Sequence, residues 1–263
     1  MPLFLRTLPP SGESYGGYIW NTNIGAVNEA PDWKETYTCG HGLHGLRAGD
    51  GDYDLLDLSD DSIFLVVESD TYVEIDNGKC KFPACVVRYA GDRYGAAAFL
   101  VEHGADPEKI RYACIAGDNA HVGHYGTATA GNRGTATAGY QGTATAGYQG
   151  HATAGEGGTA TAGNRGTATA GNCGTATAGY QGHATAGDCG HATAGYSGHA
   201  TAGYQGTATA GDSGTATAGD SGVIQIHWYD GYRCRIAVGY IGEDGLEAGV
   251  AYRCENGKFV RAE

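Results

Sequence analysis

Bulky apolar side chains are scarce in this sequence. Its 263 residues include one Met, three Trp and five Phe, against 47 Gly. A conventional core of large side chains therefore cannot fill the whole chain, and part of the fold must be built in another way. No run of residues approaches the roughly eighteen apolar positions of a membrane-spanning helix, so no membrane partner is expected.

Positive charge is also scarce. Sixteen Lys and Arg stand against 29 Asp and Glu, a net charge of −13, which disfavours binding to nucleic-acid phosphates. The N-terminal segment from Met1 to Arg6 lacks the apolar stretch and cleavage site of a signal peptide. The eight cysteines are therefore expected to be free thiols in a reducing compartment, and the protein is predicted to be cytoplasmic.

The most abundant feature is an eight-residue repeat. From Gly126 to Ser221 the pattern Gly-Thr-Ala-Thr-Ala-Gly-x-x recurs without insertion in twelve octads. Alternating Thr and Ala predict a short strand, and the glycines that flank the variable pair are expected to supply the turn conformations. One octad cannot close a circuit, so two octads are predicted to form a sixteen-residue coil with two facing strands. Six such coils would stack about 4.8 Å apart.

Substitutions within the repeat indicate which side chains point inward. The first Thr of the octad is replaced by histidine four times, which a narrow interior would not accommodate, whereas the two Ala positions never vary. After the last octad these two positions become Ile224 and Ile226. We predict that Ala fills the interior, that Ile closes its end, and that Thr and His face solvent. The substituted positions are His151, His183, His191 and His199.

The variable pairs of alternate octads define two edges of such a coil. Tyr148, Tyr180 and Tyr196 fall on one edge, with both arginines of the repeats, while Cys173 and Cys189 fall on the other with three of the four acids. Exposed aromatic side chains on a rigid surface are typical of interfaces. We predict that the protein binds a protein partner or itself, preferably as a homodimer along the edge that carries Tyr148.

One of the two predicted sheets has an outer side that is nearly pure threonine. Its hydroxyls would form a grid of about 4.8 by about 6.7 Å, which is a second candidate binding surface. The threonines of its first four coils are Thr127, Thr129, Thr143, Thr145, Thr159, Thr161, Thr175 and Thr177.

The repeat resembles that of a known family. The segment Thr143–Tyr148, Thr-Ala-Thr-Ala-Gly-Tyr, is similar to the repeat of bacterial ice nucleation proteins, which are sixteen-residue β-solenoids with Thr-x-Thr ladders and stacked tyrosines. The resemblance covers about a third of the chain and implies ice binding by the threonine sheet, with inhibition of ice growth rather than nucleation because six coils make a small template. The flanking regions resemble uncharacterised phage or prophage proteins that combine a Cys-Gly-x-Gly-Leu-His-Gly segment with Ala-Thr-Ala-Gly repeats, which implies a phage origin.

The flanking regions have ordinary composition. Strands are predicted at 62–68, 72–75 and 84–89, followed by a helix from Asp92 to His103 with Asp92 as its N-cap and Gly104 at its C-terminal end. Further strands are predicted around 224–228, 233–240 and 250–254. The expected fold is mainly β and two-sided. An N-terminal α+β domain (1–110) precedes a parallel β-solenoid (111–221), and capping strands (222–263) follow it.

The strongest cluster of chemically active residues is Cys39, His41 and His44. A thiol with two imidazoles could bind zinc, or a histidine could activate Cys39 as a nucleophile. However, the spacing matches no standard zinc pattern, and no triad, phosphate loop or acid–base pair supports a reaction class. A structural turn with a packed Cys and hydrogen-bonded His is therefore favoured. No cofactor is expected, and a non-enzymatic interaction or scaffold protein is the leading hypothesis.

Overall fold

The computed structural model describes residues 1–14, 16–76 and 78–262. The chain divides into two compact units, Met1–Ala113 and Cys114–Glu263, and is mainly β, as predicted. Within the described ranges, no helix combines the length and apolar character needed to cross a membrane.

The first unit is a seven-stranded antiparallel sheet with the strand order β2-β7-β4-β1-β3-β6-β5. Helix α1 packs on this sheet and buries Ala96, Ala97 and Leu100. The core of the unit contains Phe4 and Phe82, both fully buried. Its elements are β1 (Leu3–Leu8), β2 (Val27–Glu29), β3 (Leu43–Arg47), a 3₁₀ turn (Tyr53–Leu55), β4 (Ile63–Glu68), β5 (Val73–Asp76), β6 (Lys79–Phe82), β7 (Ala84–Gly91) and α1 (Arg93–Glu102).

The three predicted strands of this unit correspond to β4, β5 and β7, and the predicted helix corresponds to α1. The side chain of Asp92 accepts a hydrogen bond from the Gly95 amide at 2.8 Å, as expected of an N-cap, and Gly104 has φ +89 just beyond the helix. Strands β1, β2, β3 and β6 were not predicted. Strand β1 lies in the middle of the sheet and shows no regular apolar–polar alternation. Strand β6 does alternate, but over only four residues, the shortest length at which that pattern indicates a strand.

The second unit contains the solenoid, and its coils have sixteen residues, as predicted. In one parallel ladder Thr143 pairs with Thr127 and Thr159, and in the other Thr167 pairs with His151 and His183. The solenoid strands are β8 (Cys114–Val122), β9 (Thr127–Ala138), β10 (Thr143–Ala146), β11 (His151–Ala154), β12 (Thr159–Ala162), β13 (Thr167–Ala170), β14 (Thr175–Ala178), β15 (His183–Ala186), β16 (His191–Ala194), β17 (His199–Ala202), β18 (Thr207–Ala210) and β19 (Thr215–Ala218).

Strand β8 shows that the stack begins before the regular repeats. It pairs in parallel with β9, with a shift in register between Gly117 and Asn119. The solenoid therefore has about seven coils, and the first is irregular.

The interior of the solenoid is lined by alanine, as predicted. Every alanine of the twelve octads is at most 4% exposed. The threonine and histidine side chains between them are half-buried or exposed. Ile224 and Ile226, which follow Ala208 and Ala210 in the ladder, are at most 1% exposed and close one end of the interior.

The prediction that glycine supplies the turn conformations is wrong. The left-handed position of each turn is the second residue of the variable pair, as at Arg133 (φ 60) and Gln141 (φ 50). In this fully described stretch, neither of the glycines that flank the pair has a positive φ. They are required by space: a Cβ at Gly142 would lie 2.7 Å from the Ala138 Cβ, and one at Gly163 would lie 2.8 Å from the Gly147 carbonyl carbon.

The C-terminal strands cover both open strands of the last coil. Strand β20 continues the ladder above β18, and β22 meets β19 at the pair Ala216 and Tyr252. Strands β20, β21 and β22 match the predicted capping strands, whereas β23 was not predicted. The strands are β20 (Val223–Tyr229), β21 (Cys234–Tyr240), β22 (Tyr252–Glu255) and β23 (Lys258–Arg261).

Candidate functional site

The eight threonines singled out in the sequence lie together on one outer side of the solenoid, here called the threonine face. Thr143 aligns with Thr127, Thr159 and, one coil further, Thr175, and the second threonine of each strand aligns in the same way. The series ends at His191, which follows Thr175 in the ladder. The threonine face therefore extends without interruption over four coils.

The opposite face carries histidines. The rings of His183 and His199 stack with centroids 4.8 Å apart and an interplanar angle of 13°. Desolvation and the neighbouring His183 lower the pKa of His199. Its Nδ1 atom lies 2.6 Å from Thr215 Oγ1. The two faces of the solenoid thus differ in chemistry, because the threonine face has one histidine, His191, whereas the opposite face has His151, His183 and His199.

The three predicted tyrosines lie on one edge, here called the tyrosine edge. Tyr148, Tyr180 and Tyr196 are 40%, 42% and 51% exposed. The rings of Tyr180 and Tyr196 stack with centroids 5.7 Å apart and an interplanar angle of 2°. Tyr148 lies two coils before Tyr180, and its hydroxyl accepts a hydrogen bond from Arg165 Nη1 on the coil between them at 3.3 Å. The edge therefore presents ordered aromatic surface to solvent.

Hydrogen bonds between successive coils hold the tyrosine edge in place. Asn132 Oδ1 accepts from the Tyr148 amide at 3.0 Å, and Arg133 Nε donates to Gln149 Oε1 at 3.2 Å. The same two bonds recur two coils further, from Asn164-Arg165 to Tyr180-Gln181. Each Asn-Arg pair thus orders the Tyr-Gln pair that follows it. The sequence showed the alternation of these pairs, but their bonding follows only from the sixteen-residue register.

The opposite edge is acidic and carries the two cysteines of the repeats. Cys173 and Cys189 are exposed free thiols on successive coils. Desolvation, the Cys189 thiol and the nearby acids Glu156 and Asp188 raise the pKa of Cys173. Tyr204 on this edge is held through its amide by Asp188 Oδ1 at 2.8 Å.

In the first unit, Cys39, His41 and His44 line one pocket, but each side chain has a different environment. Cys39 Sγ accepts from Lys79 Nζ at 3.2 Å, and His41 Nδ1 lies 3.3 Å from Asp32 Oδ2. Within residues 1–14, 16–76 and 78–262, no three His, Cys, Asp or Glu side chains form a group that could hold a metal ion.

The expected structural turn with a packed cysteine and hydrogen-bonded histidines is therefore only partly correct. Cys39 is exposed, and His44 Nε2 is buried without a hydrogen-bond partner among the described residues. Burial and three cations, Lys79, Arg6 and Lys81, lower the pKa of His44 to about 4. His44 is thus neutral near pH 7. The other two cysteines of this unit, Cys80 and Cys85, are buried, and desolvation raises their pKa values to about 11 and about 12.

Lys81, which the sequence did not single out, organises the loop around Cys39. It is fully buried, and its Nζ donates to Thr36 Oγ1 at 2.7 Å, Thr38 O at 3.1 Å and Gly40 O at 3.3 Å. Three acceptors compensate for the loss of water around a buried ammonium group. Nothing in the local sequence of β6 distinguishes this buried lysine from the half-buried Lys79.

Comparison with protein-family models, curated proteins and solved structures gave no match. The similarity to ice nucleation proteins therefore rests on the repeat alone.

Proposed function

We propose that the solenoid is a rigid scaffold that pairs with a second copy of itself along the tyrosine edge. The observation that carries this proposal is the order of residue pairs along the edge. From the first repeat coil to the sixth, they are Asn132-Arg133, Tyr148-Gln149, Asn164-Arg165, Tyr180-Gln181, Tyr196-Ser197 and Asp212-Ser213.

When two copies of this edge face each other in opposite directions, the residue pairs that meet are complementary. A two-fold axis between the third and fourth coils places the first coil of one copy against the sixth of the other. Arg133 then faces Asp212, Tyr148 faces Tyr196, and the cation of Arg165 faces the ring of Tyr180. These are an ion pair, an aromatic pair and a cation–π pair, all of them attractive. Because both copies have the same coil spacing, all pairs align together, and the contact closes as a dimer.

The opposite edge lacks this complementarity. Glu156, Asp188 and Asp220 carry negative charge there, and its variable pairs contain no Lys or Arg. Reversing this edge against itself places Asp220 opposite Tyr140, Glu156 opposite Tyr204 and Asp188 opposite Asn172, so the acids of both copies share one interface and none of them faces a cation. Like charges at an interface disfavour association. The tyrosine edge is therefore the preferred dimer surface, and the acidic edge is a matched control.

The first test is the mass of the protein in solution. We expect a dimer for the unchanged chain and a monomer after Tyr148, Tyr180 and Tyr196 are replaced by Ser, because the exposed aromatic surface is lost. Analytical ultracentrifugation measures both masses. The control, Tyr140→Ser with Tyr204→Ser on the acidic edge, should remain dimeric. A triple variant with unchanged mass would contradict the proposal.

A charge exchange tests the direction of the pairing. Arg133→Asp should weaken the dimer, and adding Asp212→Arg should restore it, since the two positions face each other twice in the antiparallel arrangement. Two exposed ion pairs correspond to a change in Kd of roughly twofold to thirtyfold. If the double variant associates no better than Arg133→Asp alone, the proposed antiparallel pairing along this edge is wrong.

The threonine face supports a second candidate function, binding to ice. Eight threonines in strict register over four coils present a regular array of hydroxyl and methyl groups, and we expect it to inhibit ice growth. Ice crystals grown with the protein should be faceted, and those grown with Thr145→Tyr and Thr161→Tyr should be rounded. Thr169→Tyr on the histidine face is the control. Rounded crystals with the unchanged protein exclude this function.

An enzyme or metal site at Cys39, His41 and His44 is a third hypothesis, which the separate environments of these side chains do not favour. The phage origin and the cytoplasmic location stay predictions from the sequence.

A further inference from the structure

The first unit has a pocket of about 630 Å³ with an arginine in its wall. Arg6 is half-buried, and its Nη1 donates to the carbonyl oxygen of His44 at 3.0 Å. Among the described residues, no carboxylate forms an ion pair with it. A partly desolvated cation without a counter-charge is costly, and proteins usually pair such a group. The missing negative charge is therefore the first property expected of a ligand.

Three buried polar atoms near this arginine have no hydrogen-bond partner among the described residues. They are Arg6 Nε, Trp20 Nε1 and His44 Nε2, and all three residues line the pocket. Each unsatisfied buried polar group costs about 1–3 kcal/mol, and such groups are rare in folded proteins. Because all three residues line one pocket, its wall holds polar groups that the described protein atoms do not satisfy.

Three cations act on His44 at the wall of this pocket. Lys79 lines the pocket together with Arg6. The positive charges of Lys79, Arg6 and Lys81 lower the pKa of His44 and so keep its imidazole neutral. The pocket lining also contains three acids. Asp32 is engaged by His41 and by the Gly42 amide, and Asp57 accepts from both the amide and the hydroxyl of Ser59. The third, Glu13, is exposed.

The rest of the lining is apolar. The guanidinium carbon of Arg6 lies 5.0 Å from the Trp20 ring centroid, and Tyr18, Leu55 and Leu56 also line the pocket. The volume falls in the range of about 300–1,000 Å³ that is typical of small-molecule sites. A ligand that fits these features has one acidic group and an apolar body.

We propose that this pocket binds a small organic carboxylate, with its acid group at Arg6 and its apolar body against Tyr18 and Trp20. Arg6 is suited to this role because a planar guanidinium matches the two oxygens of a carboxylate. The site lies in the first unit and does not depend on the pairing proposed for the solenoid.

The test uses the full chain and benzoate as the probe, with benzamide and inorganic phosphate for comparison. The three tryptophans, Trp20, Trp33 and Trp228, provide three indole N–H signals in an NMR spectrum. Benzoate should shift the Trp20 signal with a saturable one-site curve and leave Trp228, in the second unit, unchanged. Benzamide has the same shape without the charge and should bind at least about tenfold more weakly.

Variants of Arg6 test the assigned contact. Arg6→Gln should weaken benzoate binding at least about tenfold, whereas Arg88→Gln, on the same sheet but paired with Glu68, should leave it unchanged. If Arg6→Gln fails to fold, the unchanged protein still decides the question, because benzoate should raise its Tm and benzamide should not. An unshifted Trp20 signal, equal binding of benzoate and benzamide, or equal binding of phosphate and benzoate would overturn the proposal.

Discussion

Replacing Gly163 by alanine is expected to destabilise the solenoid by about 1–3 kcal/mol or more, the range for overpacking a close-packed interior. The new methyl group would lie 2.8 Å from the carbonyl carbon of Gly147 and 2.9 Å from the Tyr148 amide nitrogen. Both atoms belong to the backbone of the preceding coil and cannot rotate away. The Gly163 amide also donates to Ala146 O at 3.0 Å, so separating the coils would break the ladder.

Denaturant unfolding followed by circular dichroism measures this effect, and Gly157→Asn is the matched control. Gly157 occupies the left-handed turn position (φ 64), where the other eleven octads have non-glycine residues, and the nearest atom to its added Cβ is the flexible Gln141 Cγ at 3.0 Å. Asparagine tolerates this conformation, so a change within about 0.5 kcal/mol is expected. Equal effects of the two substitutions would show that close backbone approach is not the reason for Gly163.

Removing the C-terminal cap should cause the solenoid to self-associate through its open end. In a chain truncated after Ser221, strands β18 and β19 lose β20 and β22, and the interior loses the cover of Ile224 and Ile226. Unpaired backbone groups on an exposed edge are a template for pairing with another chain. Light scattering should show large, concentration-dependent assemblies in place of a single defined species.

Two controls separate this effect from pairing along the tyrosine edge. Truncation after Gly249 removes β22 and β23 but keeps β20, so only β19 is uncovered and a weaker effect is expected. Carrying Ser at positions 148, 180 and 196 in both truncated chains eliminates the proposed edge contact. If the chain ending at Ser221 stays as uniform as the full chain, the cap does not protect the open end.

Much of the second unit was determined by the sequence alone. The period of the octad, the invariant alanines and the histidine substitutions were sufficient to predict the sixteen-residue coil, its alanine interior and its outward threonines. The same pattern is repeated twelve times, so local alternation and the stacking of identical units point to one arrangement. The position of the tyrosine edge and of the threonine face follows from that register.

Only the tertiary structure decided which backbone positions need glycine and what holds the tyrosines. Gly163 is required by a contact with Gly147, and Tyr180 is ordered by Asn164. In both cases the partner lies sixteen residues away, in the neighbouring coil. The local sequence suggested instead that glycine forms the turns. In each octad the left-handed turn residue stands directly beside a glycine that is needed for close contact with the preceding coil, so the two roles cannot be separated locally.

In the first unit the tertiary structure decided more, because that unit has no repeat. Arg6, Trp20 and His44 come from three separate segments, and Lys81 reaches a loop about forty residues earlier in the chain. Their burial and their unsatisfied atoms depend on how a seven-stranded antiparallel sheet orders its strands, with β1 in the middle. The sequence drew attention to Cys39, His41 and His44 because they are close together in the chain, whereas the pocket's unpaired charge belongs to Arg6, near the start of the unit.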